Sequence, residues 1–172
     1  MSIIGVDPGV GGGLALLRSD GHIERCDDMP VIASGPKNRR DYDRQACWDW
    51  LMKARLSAKL QQEPLLLVLE QLQPMPRNGS IAAFKLGGGL ELWATGAVAA
   101  GIALERVRAK KWQKAMSVGA GEKASLARAR ELFPNAPLKL EKHSGRAAAL
   151  LLAEYGRRYL GKTEKSLFGA IP

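Results

Sequence analysis

The sequence predicts an α/β layer fold, a mixed five-stranded sheet flanked by helices, and three observations carry that prediction. The apolar run Ile3-Ile4-Gly5-Val6 closes on Asp7, and the run Leu65-Leu66-Leu67-Val68-Leu69 closes on Glu70. Short uninterrupted apolar runs of this kind fit strands buried on both faces. Asp20-Gly21 between two short β-like segments is a strong hairpin signal. Segments with apolar residues at three- and four-residue spacing alternate with these runs, as helices that cover a sheet do.

Taken in order, residues 3 to 7 form the first strand, and Gly11-Gly12-Gly13 leads into a second, Leu14 to Arg18. A third near Ile23 to Cys26 completes an antiparallel meander, and the polar stretch from Ser34 to Arg40 is an exposed loop. Asp41 or Asp43 caps a helix reaching about Gln62, in which Trp48, Leu51, Ala54 and Ala58 cover one sheet face. The fourth strand, Leu65 to Glu70, is apolar throughout and central. Pro74 and Pro76 keep the following loop from being helical. Ser80 caps a long apolar helix, broken or bent around Gly87-Gly88-Gly89, with small residues from Ala94 to Gly101 that permit close helix approach. Leu104 to Val107 is the fifth strand. Helices follow over 111–116, 123–133 and 144–160, the last with Ser144 as its N-cap, and the tail from Gly161 is loosely held. Three strands, helix, strand, helix, strand and terminal helices is the ribonuclease H-like order.

The 172 residues fit one domain, residues 1–172, of ordinary globular composition, with 46% hydrophobic and 25% charged residues. No apolar stretch approaches the roughly 20 residues that span a bilayer, so a membrane protein is not expected. Met1-Ser2 runs straight into a strand without a basic leader, and Cys26 and Cys47 are the only cysteines. Both features point to the cytoplasm. Lys and Arg number 26 against 17 Asp and Glu, a formal net charge of +9. The excess is clustered: residues 106 to 165 carry 15 basic and 5 acidic side chains, while the rest of the chain is nearly neutral. A basic half beside an acidic one suggests a polyanion held by one part and worked on by the other.

Asp7 and Glu70 each stand at the mouth of a buried strand, where an unpaired carboxylate is costly. A shared divalent cation offsets that cost, which is the signature of a metal-dependent nuclease. Asp7 alone, in Asp-Pro-Gly, would be a turn residue. Gly9 and Gly11 to Gly13 either cradle a phosphate or allow a tight strand connection, and the connection is preferred.

The segments Ile4-Gly5-Val6-Asp7-Pro8-Gly9, Val68-Leu69-Glu70-Gln71 and His143-Ser144-Gly145-Arg146-Ala147-Ala148-Ala149-Leu150-Leu151 together resemble RuvC-like Holliday junction resolvases, the phage-encoded ones especially. Val107, Lys111 and Trp112, and the stretch Lys123-Ala124-Ser125 through Phe133-Pro134, agree with that resemblance. It implies a homodimer that nicks four-way DNA junctions with Mg2+, two ions to each active site, with Mn2+ as a substitute. By the resemblance Asp7 bridges both ions and Glu70 is the second carboxylate, while His143 fills one further place. Ala148 stands where relatives typically carry Asp. Two cations about 4 Å apart would activate water and steady the leaving oxygen, so a missing acid implies impaired cleavage, in an inactivated variant or in a non-cleaving relative.

Among contact residues, Lys110, Lys111 and Lys114 around Trp112 form a phosphate-binding edge, with Trp112 itself buried. Arg77 and Asn78 are expected at the junction centre, and Lys123 and Arg146 on DNA. His143 is otherwise a structural histidine, and Ser144 a cap rather than a nucleophile. Phe84, Leu86, Leu90 and Trp93 exceed what one core face needs, so a dimer interface is expected there. The rival readings are a non-cleaving junction-binding protein and a nuclease for other branched or RNA-containing substrates.

Overall fold

The computed structural model describes residues 1–34, 39–71, 79–120 and 123–161. Strands β1 (Ser2–Asp7), β2 (Gly13–Leu17) and β3 (Ile23–Asp28) form the meander. A small hairpin, β4 (Val31–Ala33) with β5 (Arg40–Tyr42), precedes helix α1 (Arg44–Leu60). Then come β6 (Leu65–Gln71), α2 (Ser80–Ala99), β7 (Ala103–Arg108), α3 (Ala109–Ala115), α4 (Ala124–Leu132) and α5 (Ser144–Tyr155). A 3-10 turn, Glu141–His143, leads into α5, and a π-helical turn, Gly156–Leu160, follows it. The main sheet runs β3-β2-β1-β6-β7, antiparallel across β3-β2-β1 and parallel across β1-β6-β7. This is the mixed five-stranded, ribonuclease H-like sheet expected, with β6 in its interior.

Alternation along the strands divides the core in two. Ile3, Leu66, Val68, Val107 and Trp112 pack with α5 on one face. Ile4, Val6, Leu67 and Leu69 pack with Leu51, Trp93 and Ala97 of α1 and α2 on the other. Helix α5 lies unusually close to the sheet because glycines receive it. A Cβ at Gly5 would overlap the backbone of Ala149 and Ala153, and one at Gly13 would lie 2.6 Å from the Arg146 nitrogen.

Several local expectations are corrected. The β4–β5 hairpin was not expected; its strands flank the stretch read as loop, of which only Arg40 among the described residues is in a strand, residues 35–38 lying outside them. Asp43 is the α1 cap, its side chain accepting from the Ala46 amide at 2.9 Å. Trp48 is exposed at 37%; Cys47 and Trp50 take the buried places instead. Trp50 is held by a 2.7 Å hydrogen bond from its indole to Asp27 and by an edge contact with Trp93. Helix α2 passes unbroken through Gly87-Gly88-Gly89, with Gly79 rather than Ser80 at its N-cap. Gly89 serves close approach there, since a Cβ would overlap the Tyr42 hydroxyl, which itself donates to the Pro8 carbonyl at 2.7 Å. Ser144 is likewise the first helical residue of α5 and not its cap, because the 3-10 turn delivers it already in helical geometry.

Two glycine substitutions separate these roles. Gly5→Ala is expected to lower the unfolding free energy by about 3 kcal/mol, since the backbone of α5 must move to admit a methyl group. Gly87→Ala, with nothing within 4 Å of its Cβ, is expected to raise it by up to about 1 kcal/mol. Urea unfolding of both variants checks the pair.

Candidate active site

The two predicted carboxylates come together through strand register. β1 and β6 are parallel neighbours with Val6 opposite Leu69, so Asp7 and Glu70 are the next residues on strands about 4.8 Å apart. Both lie on the α5 face, because Ile3 and Gly5 precede Asp7 on that face and Leu66 and Val68 precede Glu70. They therefore stand side by side at the carboxyl ends of parallel strands, where open α/β sheets place their ligand sites.

Burial governs their electrostatics. Glu70 is 7% exposed. Its pKa is pushed up to about 7, chiefly by burial and then by the charge of Asp7, against the opposing indole N–H of Trp112, which donates to Oε1 at 3.4 Å. Asp7 is pushed up to about 6 by burial, opposed by the Gly9 amide at 3.4 Å. No cationic side chain among the described residues pairs with either. The pair is thus two oxygen donors in want of a positive partner.

The first turn of α5 is seated beside them. Gly12 and Gly145 form an isolated bridge, and the Gly145–Arg146 backbone rests on Gly13, the residue opposite Asp7 in β2. That turn carries no acid, and Ala148 is 9% exposed within the apolar cluster of this face. Glu154, further along, is buried and held by Arg157 and Arg158. His143 is not brought to Asp7 and Glu70. It is buried, its Nδ1 accepts from the Leu140 amide at 3.4 Å, and the charged groups acting on it are Arg146, Asp28, Lys142 and Arg130. Burial first, then Arg146, holds its pKa below the usual value. Among the described residues no three of His, Cys, Asp and Glu converge as metal ligands. The donors present fit one hydrated cation and do not fit two.

Trp112 is fully buried as expected, with Lys110, Lys111 and Lys114 exposed around it on α3. Through Trp112 this basic edge is joined to Glu70. Lys123 is exposed and paired with Glu141 at 2.7 Å, a surface pair that leaves it available. Arg146 is held by Asp28 through two hydrogen bonds, 2.6 and 2.7 Å. Arg77 and Asn78 lie outside the described residues. Of the expected interface residues, Phe84 is 84% exposed and Leu86 and Leu90 are half-buried. Trp93 is corrected: at 1% exposure it belongs to the core beneath α2, packed on Trp50, and offers no surface. Asp28 was missed by sequence reasoning, because Ile23-Glu24-Arg25-Cys26 is not the uninterrupted apolar run that singled out Asp7 and Glu70.

No family model and no curated protein matches the sequence. Solved structures do. RuvC of Thermus thermophilus in complex with a Holliday junction substrate superposes with a TM-score of 0.59 at 16% identity, covering 92% of this chain and 96% of that one. The structure of Thermus thermophilus RuvC gives 0.57 at 18% identity, covering 94% and 97%. The fold is that of RuvC. The RuvC-like architecture runs through nearly the whole chain. No helix among the described residues is long and apolar enough to cross a membrane.

A raised carboxylate pKa has a definite sign for stability. Between about pH 4 and 7 the folded state holds protons that the unfolded chain has released, so the stability supplied by these two groups falls as pH rises through that window. For Glu70 the shift corresponds to roughly 3 kcal/mol. Glu70→Gln is therefore expected to raise the melting temperature at pH 8 by about 5 °C and to change it little at pH 4. Millimolar MgCl2 should raise the pH 8 value of the unsubstituted protein and not that of the variant. Thermal unfolding across pH, with and without MgCl2, checks both.

Proposed function

We propose that the chain acts on branched DNA, chiefly four-way junctions, as a homodimeric RuvC-like endonuclease of the phage type, with a cytoplasmic site of action and an incomplete ligand set. The observation that carries this reading is the pair Asp7 and Glu70, a half-buried and a buried carboxylate side by side at the carboxyl ends of adjacent strands, in a fold for which the Thermus protein is seen with a Holliday junction.

Asp7 and Glu70 would hold the cation, Mg2+ or Mn2+, which when bound supplies charge stabilisation at a phosphate and an acidified water. The chain's own residues do the rest. Lys110, Lys111 and Lys114 offer charge to the DNA backbone from the edge next to Glu70, and Trp112 orients the Glu70 carboxylate by its indole N–H. Arg77, Asn78 and Lys123 are further contacts under this reading. The exposed side chains of α2, Phe84 with Ile81 and Val98, supply an apolar face for the second copy, while half-buried Leu86 and Leu90 lie on the opposite side of the helix, Leu90 against the core. A single cation with two protein carboxylates keeps most of its waters and binds weakly, so cleavage is slow or absent.

The second reading is a non-cleaving junction-binding protein. The absence of any acid in the first turn of α5, with Ala148 at its inner edge, favours it over an efficient nuclease.

The deciding experiment is Mg2+-dependent nicking of a synthetic four-way junction by this chain and by Ala148→Asp, alongside binding at two salt concentrations. Cleavage by the variant only is the expected result and places the defect at 148. Tight, salt-dependent binding without cleavage by either establishes the second reading. Absence of junction preference over linear duplex overturns both. Phe84→Glu is expected to convert a dimer to a monomer, read by analytical ultracentrifugation.

A further inference from the structure

We infer that Asp28 and Arg146 form a positioning clasp that fixes the first turn of α5 over the acidic pair, and that Arg146 is therefore not a DNA contact. The inference rests on the proposed reading of Asp7 and Glu70 as a cation site.

The geometry is a row across the sheet. Asp7 faces Gly13, and Gly13 faces Asp28, so the three share one face at one end of β1, β2 and β3. The middle position has no side chain, and the backbone of Gly145 and Arg146 fills the space. From there Arg146 reaches outward to the β3 edge. Its Nε and Nη2 donate to the two carboxylate oxygens of Asp28 at 2.6 and 2.7 Å, and its Nη1 donates to the Pro137 carbonyl at 3.3 Å. All three guanidinium nitrogens are engaged, and the side chain is only 21% exposed. A DNA phosphate would have to displace a bidentate carboxylate that already matches the guanidinium fork. An exposed lysine of α3 meets a phosphate without that cost.

The clasp has a consequence on the opposite side of the helix. Residues 146 and 148 lie about 200° apart around the axis, so drawing Arg146 toward β3 sets the direction of position 148, away from β3. The glycine seat alone fixes how close α5 comes to the sheet. Further along, Gly5 against Ala149 and Ala153 and the buried apolar side chains hold the helix body, and the attachment at Asp28 adds a side-chain tie at the first turn, where the seat is only the backbone contact with Gly12 and Gly13. Pro137, in the connection before α5, is tied in by the same guanidinium, so the approach to the helix and its first turn move together.

The test uses the full chain and Mn2+ as probe, its free concentration read by electron paramagnetic resonance. Four proteins are compared: unsubstituted, Ala148→Asp, Asp28→Asn, and the double variant. Ala148→Asp is expected to tighten Mn2+ about tenfold. Asp28→Asn alone should leave Mn2+ affinity within about twofold, yet in the Ala148→Asp background it should remove most of the gain. A change confined to overall stability would not produce that coupling. Two further measurements are the salt slope of junction binding for Arg146→Met and amide exchange at Ala147 to Leu150 in Asp28→Asn. The slope should be unchanged, and the exchange should quicken about tenfold while the β1 amides stay protected. Retention of the full Mn2+ gain without Asp28, or a salt slope smaller by about one unit in Arg146→Met, overturns the clasp. If Ala148→Asp fails to tighten Mn2+, the cation reading falls instead, and the slope and exchange measurements alone decide the clasp.

Discussion

The contact on which this molecule depends is backbone against backbone: α5 lying on β1 and β2 with glycine on both sides of the interface. Gly5, Gly12 and Gly13 on the sheet and Gly145 on the helix leave no room for a Cβ at any of the four positions. The close approach buries the apolar helix from Ala147 to Ala153 completely, apart from the edge at Ala148, and sets the helix start beside the ends of β1 and β6. Every feature of the site follows from that distance. Asp7 is half-buried there and Glu70 buried with the Trp112 indole on its carboxylate, and the turn that rests on Gly13 lies beside both.

Two carboxylates so placed impose a standing cost that the rest of the fold carries. The two core layers, one on each sheet face, supply the burial that makes the arrangement tolerable. The anchoring is also two-sided. Tyr42 holds the Pro8 carbonyl just beyond Asp7, and Gly89 of α2 packs on that hydroxyl, so the turn after β1 is gripped from the face opposite α5. Lys85 of α2 donates to the Arg40 carbonyl at 2.8 Å and fastens the β4–β5 hairpin to the same helix.

The sheet was legible because its signals are local and strong. Uninterrupted apolar runs ending on Asp7 and Glu70 mark the buried strands, and Asp20-Gly21 marks the antiparallel meander, while the parallel pairing of β1 with β6 and of β6 with β7 came from the structure. What escaped reading depends on tertiary partners. Three-residue strands such as Val31–Ala33 carry too little pattern to be seen before their register with Arg40–Tyr42 exists. Trp48 and Trp50 are two residues apart on one helix, and only Asp27 and Trp93 decide which of them is buried. The triple glycine of α2 reads as a break until Tyr42 is found against Gly89. His143 sat at a suggestive place in the sequence, but the 3-10 turn rotates it toward Asp28 and Arg146, and rotation at a helix start is invisible to spacing. The carboxylate pair was readable for the opposite reason, since its members are strand ends and their adjacency follows from register alone.

The same electrostatics bear on how nucleic acid could approach such a site without a full metal complement. Ionised Asp7 and Glu70 would repel a phosphate brought within a few ångströms, and a neighbouring basic edge of exposed lysines offsets that only partly in water. Their raised pKa values, about 6 and about 7, change the balance. Near neutral pH Glu70 is partly protonated, so the pair presents less than two charges, and a further phosphate charge nearby raises both values again. Proton uptake by the pair would lower the repulsion that an approaching phosphate meets, and it would supply nothing that activates water. Under the proposed reading, an unfilled ligand position at 148 would weaken cation binding without making the site hostile to DNA, and binding and cleavage would then separate at a single residue.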